Sequence, residues 1–339
     1  MQLSETVKLY MTKEQKTHIA ATMTEYIKTV NHLVSVAING TSISKYTTAD
    51  VAADLPSAIT NQCIRDAKSI VSKYNKAVRK AARNQKSAKQ DPKKKEKEVK
   101  VPVLKKPCCY INNQNFRLRE DAIEFPVCIN GKSKRIAVRT AMTERQKQRF
   151  ANAKFGAMRI VCKGTKIVSQ IVYEVSEPEY PGDGTVMGVD LGIKCPAVSY
   201  CTDGNVKFYG NGRKNKYMRR HYQYLRRKLQ KAKHVDALKR VNNKEQCIMK
   251  DIDHKISHDI IEMAVAHGVR RIKLEQLSKI RSTTRTSRKN NHSLHNWSFY
   301  RLAQYIEYKA RLAGIKVEYV NPAYTSQKCP VCGHVHHAN

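Results

Sequence analysis

Two carboxylates sit where phosphodiester chemistry would use them. Asp190 lies near the end of an apolar run, in Met187-Gly188-Val189-Asp190-Leu191-Gly192, and Glu275 directly follows a buried-type strand signal, Val269–Leu274. Both runs have the length and β-branched content of buried strands. Ligands of open α/β sheets bind at the carboxyl ends of strands, so two acids converging there would share a divalent cation. Mg²⁺ takes a few carboxylates and keeps positions for water and phosphate oxygens. A pair of such ions activates water on one side of a phosphate and stabilises the leaving oxygen on the other. Taken singly, either acid reads more simply as a cap or turn residue, and Gly188 and Gly192 as packing glycines. The pair carries more weight, because 85 residues separate its members and only topology would unite them. A second chemical signal is Cys329-Pro330-Val331-Cys332. This Cys-x-x-Cys is half of a structural zinc site, which needs four ligands.

The elements that would position these residues fall into blocks. Residues 1–11 read as a strand, with Val7 and Leu9 alternating with polar neighbours. Ile19, Met23, Tyr26, Ile27, Val30 and Val34 recur at helical spacing after Thr12, a natural N-cap. A second helix follows Pro56, and a charge run around Asp91–Glu98 reads as a basic linker over 84–100. From Tyr110 to Val175 the period shifts toward two, giving short strands at Ala122–Val127, Arg135–Arg139, Met158–Cys162 and Ile167–Val175. These build a small basic β domain that takes in the first strand, with the two helices inserted between. After Gly184 come three strand signals, a basic helix, a second helix, the strand ending at Glu275, a polar stretch (Ser278–His295), a third helix and a fifth strand. In the basic helix Tyr217, His221, Tyr224, Leu225, Leu229 and Ala232 share an apolar face, and Arg219, Arg220, Arg226 and Arg227 are candidates for nucleic-acid backbone contact. This order is that of an RNase H-like fold, in which the first and fourth strands are parallel neighbours.

Composition narrows the partner. The 339 residues carry 64 Lys+Arg against 28 Asp+Glu, a formal net charge of +36. Such an excess calls for an anionic partner, and phosphate neutralisation by Lys and Arg drives nucleic-acid binding. No apolar run approaches the roughly 18–20 residues of a membrane span, and Met1–Tyr10 lacks a signal-peptide core. Ten Cys in 339 residues are too dilute for a secreted disulfide scaffold.

Gly188-Val189-Asp190-Leu191-Gly192-Ile193-Lys194 resembles the first RuvC motif of the TnpB family, transposon-encoded RNA-guided DNA nucleases related to type V CRISPR effectors. Asp251–Ser257 is similar to the segment before the second acid, and Lys273–Leu277 to the second motif. Tyr324–Gly333 is similar to the approach to the family's zinc ribbon. The resemblance implies an α+β multidomain chain. A β-barrel wedge domain (1–11 and 101–180) would hold an inserted helical recognition domain (12–100). An α/β RNase H-like (RuvC) nuclease domain (184–322) would follow, ending in a partial zinc ribbon (323–339).

It further implies a Mg²⁺-dependent DNA endonuclease of prokaryotic cytoplasm and nucleoid, with Asp190 and Glu275 as catalytic metal ligands and structural Zn²⁺ at Cys329 and Cys332. A guide RNA from the transposon end would be one partner and target double-stranded DNA the other, one protein per RNA. By position, Tyr46, Ser57 and Asn61 would meet the duplex flanking the target; each alone reads equally as a helix-surface or cap residue. The family's third acid has no counterpart, since only Glu307 and Glu318 follow Glu275. The chain is therefore expected to stop short of that acid and to cut DNA weakly or not at all. The alternatives are a nuclease-inactive RNA-guided DNA-binding protein, such as a repressor, and a DDE-type transposase. Trp297, the sole tryptophan, is expected to pack its helix on the sheet.

Overall fold

The strand at the start of the chain becomes the middle of a sheet. In a computed structural model, β1 (Gln2–Tyr10) pairs with β7 (Lys166–Glu174) on one side and β5 (Lys132–Ala141) on the other, both antiparallel. With β2 (Cys108–Ile111), β3 (Arg117–Leu118), β4 (Ala122–Ile129) and β6 (Phe155–Lys163) this gives a seven-stranded antiparallel sheet in the order β2-β6-β7-β1-β5-β4-β3. The structure describes residues 1–88, 99–164, 166–180, 182–241, 243–277, 280, 287–322 and 332–335. The side chains of 84–88, 288 and 289 lie outside this description.

Two compact units divide the chain, Met1–Ser176 and Glu177–Asn339. In the first, α1 (Lys13–Ile38) and α2 (Ser57–Ala88) fill the concave side of the sheet. Ile19, Met23, Tyr26, Val30 and Leu33 of α1 recur every three or four residues and are buried together with Ile59, Cys63 and Ala67 of α2 and Ile123, Phe125 and Ile171 of the sheet. The sheet is open and curls into a half-barrel, where the resemblance implied a barrel. Helices occupy the face that an opposing wall would cover, and β2 and β3 stay at its edges. Helix α2 runs past residue 84 to Ala88; the charge run at 89–98 lies outside the described residues. A short α3 (Glu144–Ala151) has no counterpart in the periodicity, although its capping box is written in the sequence. Thr143 Oγ1 accepts from Gln146 N at 3.3 Å, and Gln146 Oε1 accepts from Thr143 N at 3.0 Å.

The second unit is built on five strands. β8 (Thr185–Asp190), β9 (Ala197–Cys201), β10 (Val206–Tyr209), β11 (Val269–Glu275) and β12 (Lys316–Val320) lie in the order β10-β9-β8-β11-β12. β11 is parallel to both β8 and β12, whereas β9 is antiparallel to its two neighbours. The first and fourth strands are thus parallel neighbours, as the element order required. Among the described residues the helices are α4 (Gly212–Lys231), α5 (Val235–Val241), α6 (Lys244–Ala266), α7 (Arg288–Asn296) and α8 (Phe299–Leu312). Ile256, Ile260 and Met263 of α6 and Leu302, Ile306 and Ala310 of α8 are buried with Met187, Val189, Ile272 and Leu274 of the sheet. Helix α7 falls almost wholly in the stretch read as polar, Ser278–His295. No helix among the described residues is long and apolar enough to cross a membrane.

Candidate active site

The register of β8 and β11 brings the two acids together. Val189 and Leu274 are paired across these parallel strands, and both are buried. Asp190 and Glu275 are the next residues along, so they stand side by side on the opposite face, at the carboxyl ends of strands about 4.8 Å apart. Asp190 is exposed and Glu275 half-buried. Two hard oxygen donors at one edge, open on one side, fit the usual Mg²⁺ arrangement of one or two carboxylates completed by water and phosphate oxygens. Among the described residues no group of three or more His, Cys, Asp or Glu side chains forms a metal cluster. Glu318 is one strand further out and pairs in register with Lys273, two residues back from Glu275. Its carboxylate meets Lys316 at 3.1 Å, while Glu307 accepts from the Tyr319 hydroxyl at 3.0 Å.

The turn after Asp190 depends on two glycines. A Cβ on Gly192 would stand 2.6 Å from the Cys195 carbonyl oxygen, and one on Gly212 only 1.9 Å from that of Ile193. Gly212 N donates to Lys194 O at 3.0 Å. The start of α4 therefore rests directly on the loop that leaves the first acid.

Helix α4 does not bury the face its periodicity proposed. Tyr217 and Tyr224 are two-thirds exposed, and His221 and Ala232 are also exposed; only Leu225 and Leu229 are half-buried. The half-buried side instead includes Arg219 and Arg226, whose aliphatic stems can cover apolar surface while their heads find a partner. That partner is Glu245 of α6, with Arg226 Nη2 at 2.6 Å from one oxygen and Arg219 Nη1 at 3.7 Å from the other. Burial lowers the Arg219 pKa and Glu245 opposes the shift. Arg220 and Arg227 face solvent. The four arginines proposed for backbone contact thus divide into an inner and an outer pair.

Helices α6 and α8 are tied by a polar clamp. Asp253 is buried, accepts from Arg301 Nε at 2.7 Å and Ser298 Oγ at 3.2 Å, and is 2.6 Å from Arg301 Nη2. Burial pushes the Asp253 carboxyl up, against the pull of Arg301. Lys309 Nζ donates to His254 O at 2.6 Å and Ser257 Oγ at 2.8 Å, and the His254 ring stacks on Tyr305 at 3.9 Å. The Asp251–Ser257 motif therefore fixes α8 against α6. Its signal in the sequence is an Asp on an otherwise apolar stripe of Met249, Ile256 and Ile260. Glu245 had no comparable signal. A cavity of about 600 Å³ opens beside the turn after Asp190, lined among others by Ile193, Arg219, Asp253, Trp297 and Leu302. Neither Asp190 nor Glu275 lines it. Trp297 packs against Phe299 with ring centroids 5.2 Å apart and borders the core of this unit.

In the first unit, Ser57 and Asn61 are exposed one turn apart at the start of α2, whereas Tyr46 is partly buried against the core. Cys332 is exposed; Cys329 lies outside the described residues, so the zinc half-site has no described geometry.

Comparison with known proteins points one way. Residues 170–281 match the OrfB_IS605 family, described as "Probable transposase", and residues 299–339 match the Cas12f1-like TNB domain. A TnpB-like protein of Methanocaldococcus jannaschii is 29% identical over 235 residues, 64% of this chain and 81% of that protein. The CRISPR-associated endodeoxyribonuclease Cas12f1 of Sulfoacidibacillus thermotolerans is 35% identical over 107 residues, 32% of this chain but 24% of the relative. A cryo-EM structure of a Cas12f1–sgRNA–target DNA complex shares the fold at a TM-score of 0.55 and 14% identity, covering 95% of this chain and 74% of that one. The resemblance to TnpB read from residues 184–333 is borne out.

Proposed function

We propose that this chain, a relative of the TnpB and Cas12f proteins, is an RNA-guided DNA endonuclease whose hydrolytic centre is Asp190 with Glu275. The observation that carries the reading is the Val189–Leu274 register, which sets the two acids side by side on neighbouring strand ends. Asp190 and Glu275 would hold Mg²⁺, and when bound the ion supplies the positive charge that offsets the charge developing on an attacked phosphodiester. The chain's own contribution is placement. The Gly192 turn and the close seat of Gly212 fix the loop after Asp190, and the clamp on Asp253 holds α8 behind the sheet. Exposed Arg220 and Arg227 neutralise backbone phosphates.

In the same reading the half-barrel is the wedge domain and α1–α2 the recognition helices. Ser57, Asn61 and Tyr46 then lie toward the flanking duplex. The guide RNA reads the target by base pairing while the protein holds the backbone, with one protein per RNA, at the nucleoid of a prokaryotic cell. Cys329 and Cys332 supply half of a zinc ribbon.

The test is cleavage of a DNA library by the chain with its guide transcript and Mg²⁺. At most weak cutting beside a fixed flanking sequence is expected, to be abolished by Asp190→Ala or Glu275→Ala with RNA affinity unchanged. RNA binding lost in either variant would make the acids structural. One observation favours a second reading, an RNA-guided DNA binder that does not cut: among the described residues no third ligand joins the pair. Sequence-specific DNA binding without cleavage by the unaltered chain would decide for it.

A further inference from the structure

The exposed face of α4 carries a repeat that neither the fold nor the two acids account for. Tyr217-Met218-Arg219-Arg220 and Tyr224-Leu225-Arg226-Arg227 are two copies of Tyr-apolar-Arg-Arg, seven residues apart. Seven residues are close to two helical turns, so equivalent positions face the same way, about 10.5 Å apart along the axis. The copies are equivalent in structure as well. The first Arg of each turns inward and meets one oxygen of Glu245, Arg219 on Oε1 and Arg226 on Oε2. The second Arg of each, Arg220 or Arg227, turns outward beside its tyrosine. Tyr217 and Tyr224 are 66% and 67% exposed, unusual for large rings on a helix that packs on its other side. The Tyr217 ring already stacks on His221, with centroids 6.2 Å apart and planes at 24°. The helix has no acidic residue.

We infer that this face is a tandem site for single-stranded nucleic acid, in which each Tyr-apolar-Arg-Arg unit takes one unpaired nucleotide, the tyrosine stacking on its base and the outer arginine neutralising its phosphate. This rests on the reading that the chain binds nucleic acid and adds which strand state it holds and by which groups. A flat ring beside a cation matches the π-face and the phosphate of a nucleotide, and the stacking is sequence-tolerant. A paired duplex is a poor occupant, because its bases are already stacked on each other. The shared Glu245 sets both units at once, so it is a positioning residue for the site.

The test measures binding of the full chain to a fluorescent 12-nucleotide unstructured RNA, the same sequence as single-stranded DNA, and an RNA duplex, across a salt series. Tyr217→Ala with Tyr224→Ala should weaken single-strand binding roughly thirtyfold, the low end expected for two lost stacks. Duplex binding and the salt slope should be unchanged. Tyr217→Phe with Tyr224→Phe should bind like the unaltered chain. Arg220→Ala with Arg227→Ala should instead flatten the salt slope by about 1.4, some 0.7 for each phosphate contact on a single strand. The ratio of the RNA and DNA affinities tells whether the strand is an unpaired guide segment or displaced DNA. Unchanged single-strand affinity in the alanine pair, or an equal loss on duplex, would overturn the tandem site alone. Failure of the unaltered chain to bind any of the three probes would overturn the nucleic-acid reading and the site with it.

Discussion

At the scale of single residues, the second unit separates ion pairs that hold structure from those that decorate the surface. Glu245 is 15% exposed and serves two arginines that are themselves only 25% and 30% exposed. Glu245→Gln leaves both guanidinium groups short of negative charge in a partly desolvated place, a cost of about 1–3 kcal/mol. In a thermal melt that is a drop of about 2–4 °C for each kcal/mol. Asp251, by contrast, meets Lys255 at 2.8 Å as an exposed pair one turn apart, so Asp251→Asn should change stability by less than about 0.5 kcal/mol. Equal shifts in the two melts would mean that the shelter around Glu245 adds nothing. The cysteines divide in the same way. Burial pushes the Cys63 and Cys109 thiols far up, leaving almost no thiolate, whereas Cys162 and Cys247 are exposed. Iodoacetamide on the native protein should label the exposed Cys162, Cys247 and Cys332 before Cys63 and Cys109, which should react only after unfolding. Mass spectrometry reads the order, and early labelling of Cys109 would contradict its placement in the core.

At the scale of elements, the seat of α4 on the turn after Asp190 is the most exacting contact. Gly212→Ala puts a methyl where backbone oxygens of Ile193 and Lys194 already lie, so either the helix or the loop must move. Overpacking of this kind costs about 1–3 kcal/mol, and here the strain falls on the loop beside the first acid. DNA cleavage should fall more than RNA affinity in this variant; an equal fall would place the contact outside the hydrolytic centre. Much of the surrounding architecture was legible in the sequence because it rests on local signals. Ile19, Met23, Tyr26 and Val30 mark α1, the apolar run around Asp190 marks β8, and the alternation of Val269, Ile272 and Leu274 with charged residues marks β11. What was not legible depends on partners remote in sequence. Hydrophobic periodicity counts Tyr217 and Tyr224 as core, but the inner face is decided by Glu245, 28 and 21 residues further along the chain. The central place of β1 likewise depends on β5 and β7, more than 120 residues away. Helix α3 was missed for a different reason: its capping box was present, but eight residues are too few for periodicity to register.

At the scale of the whole molecule, charge is the property that both units share. Residues 1–176 hold 34 basic and 14 acidic side chains, a net +20, and residues 177–339 hold 30 and 14, a net +16. Neither unit is merely a neutral scaffold for a basic partner. If RNA were held only by the line of Arg213, Arg220 and Arg227 on α4, three phosphate contacts would give a slope of log affinity against log salt near −2, at about 0.7 per contact. If the charge of both units meets the same RNA, six or more phosphates are engaged. The slope should then be steeper than about −4, which is roughly a 250-fold loss of affinity between 50 and 200 mM salt. Replacing these three arginines with alanine should remove only about 2 from that slope, and the remainder belongs to the rest of the chain. A slope near −2 for the unaltered protein, abolished by those three substitutions, would confine binding to one helix and leave the charge of the first unit without a role in RNA binding.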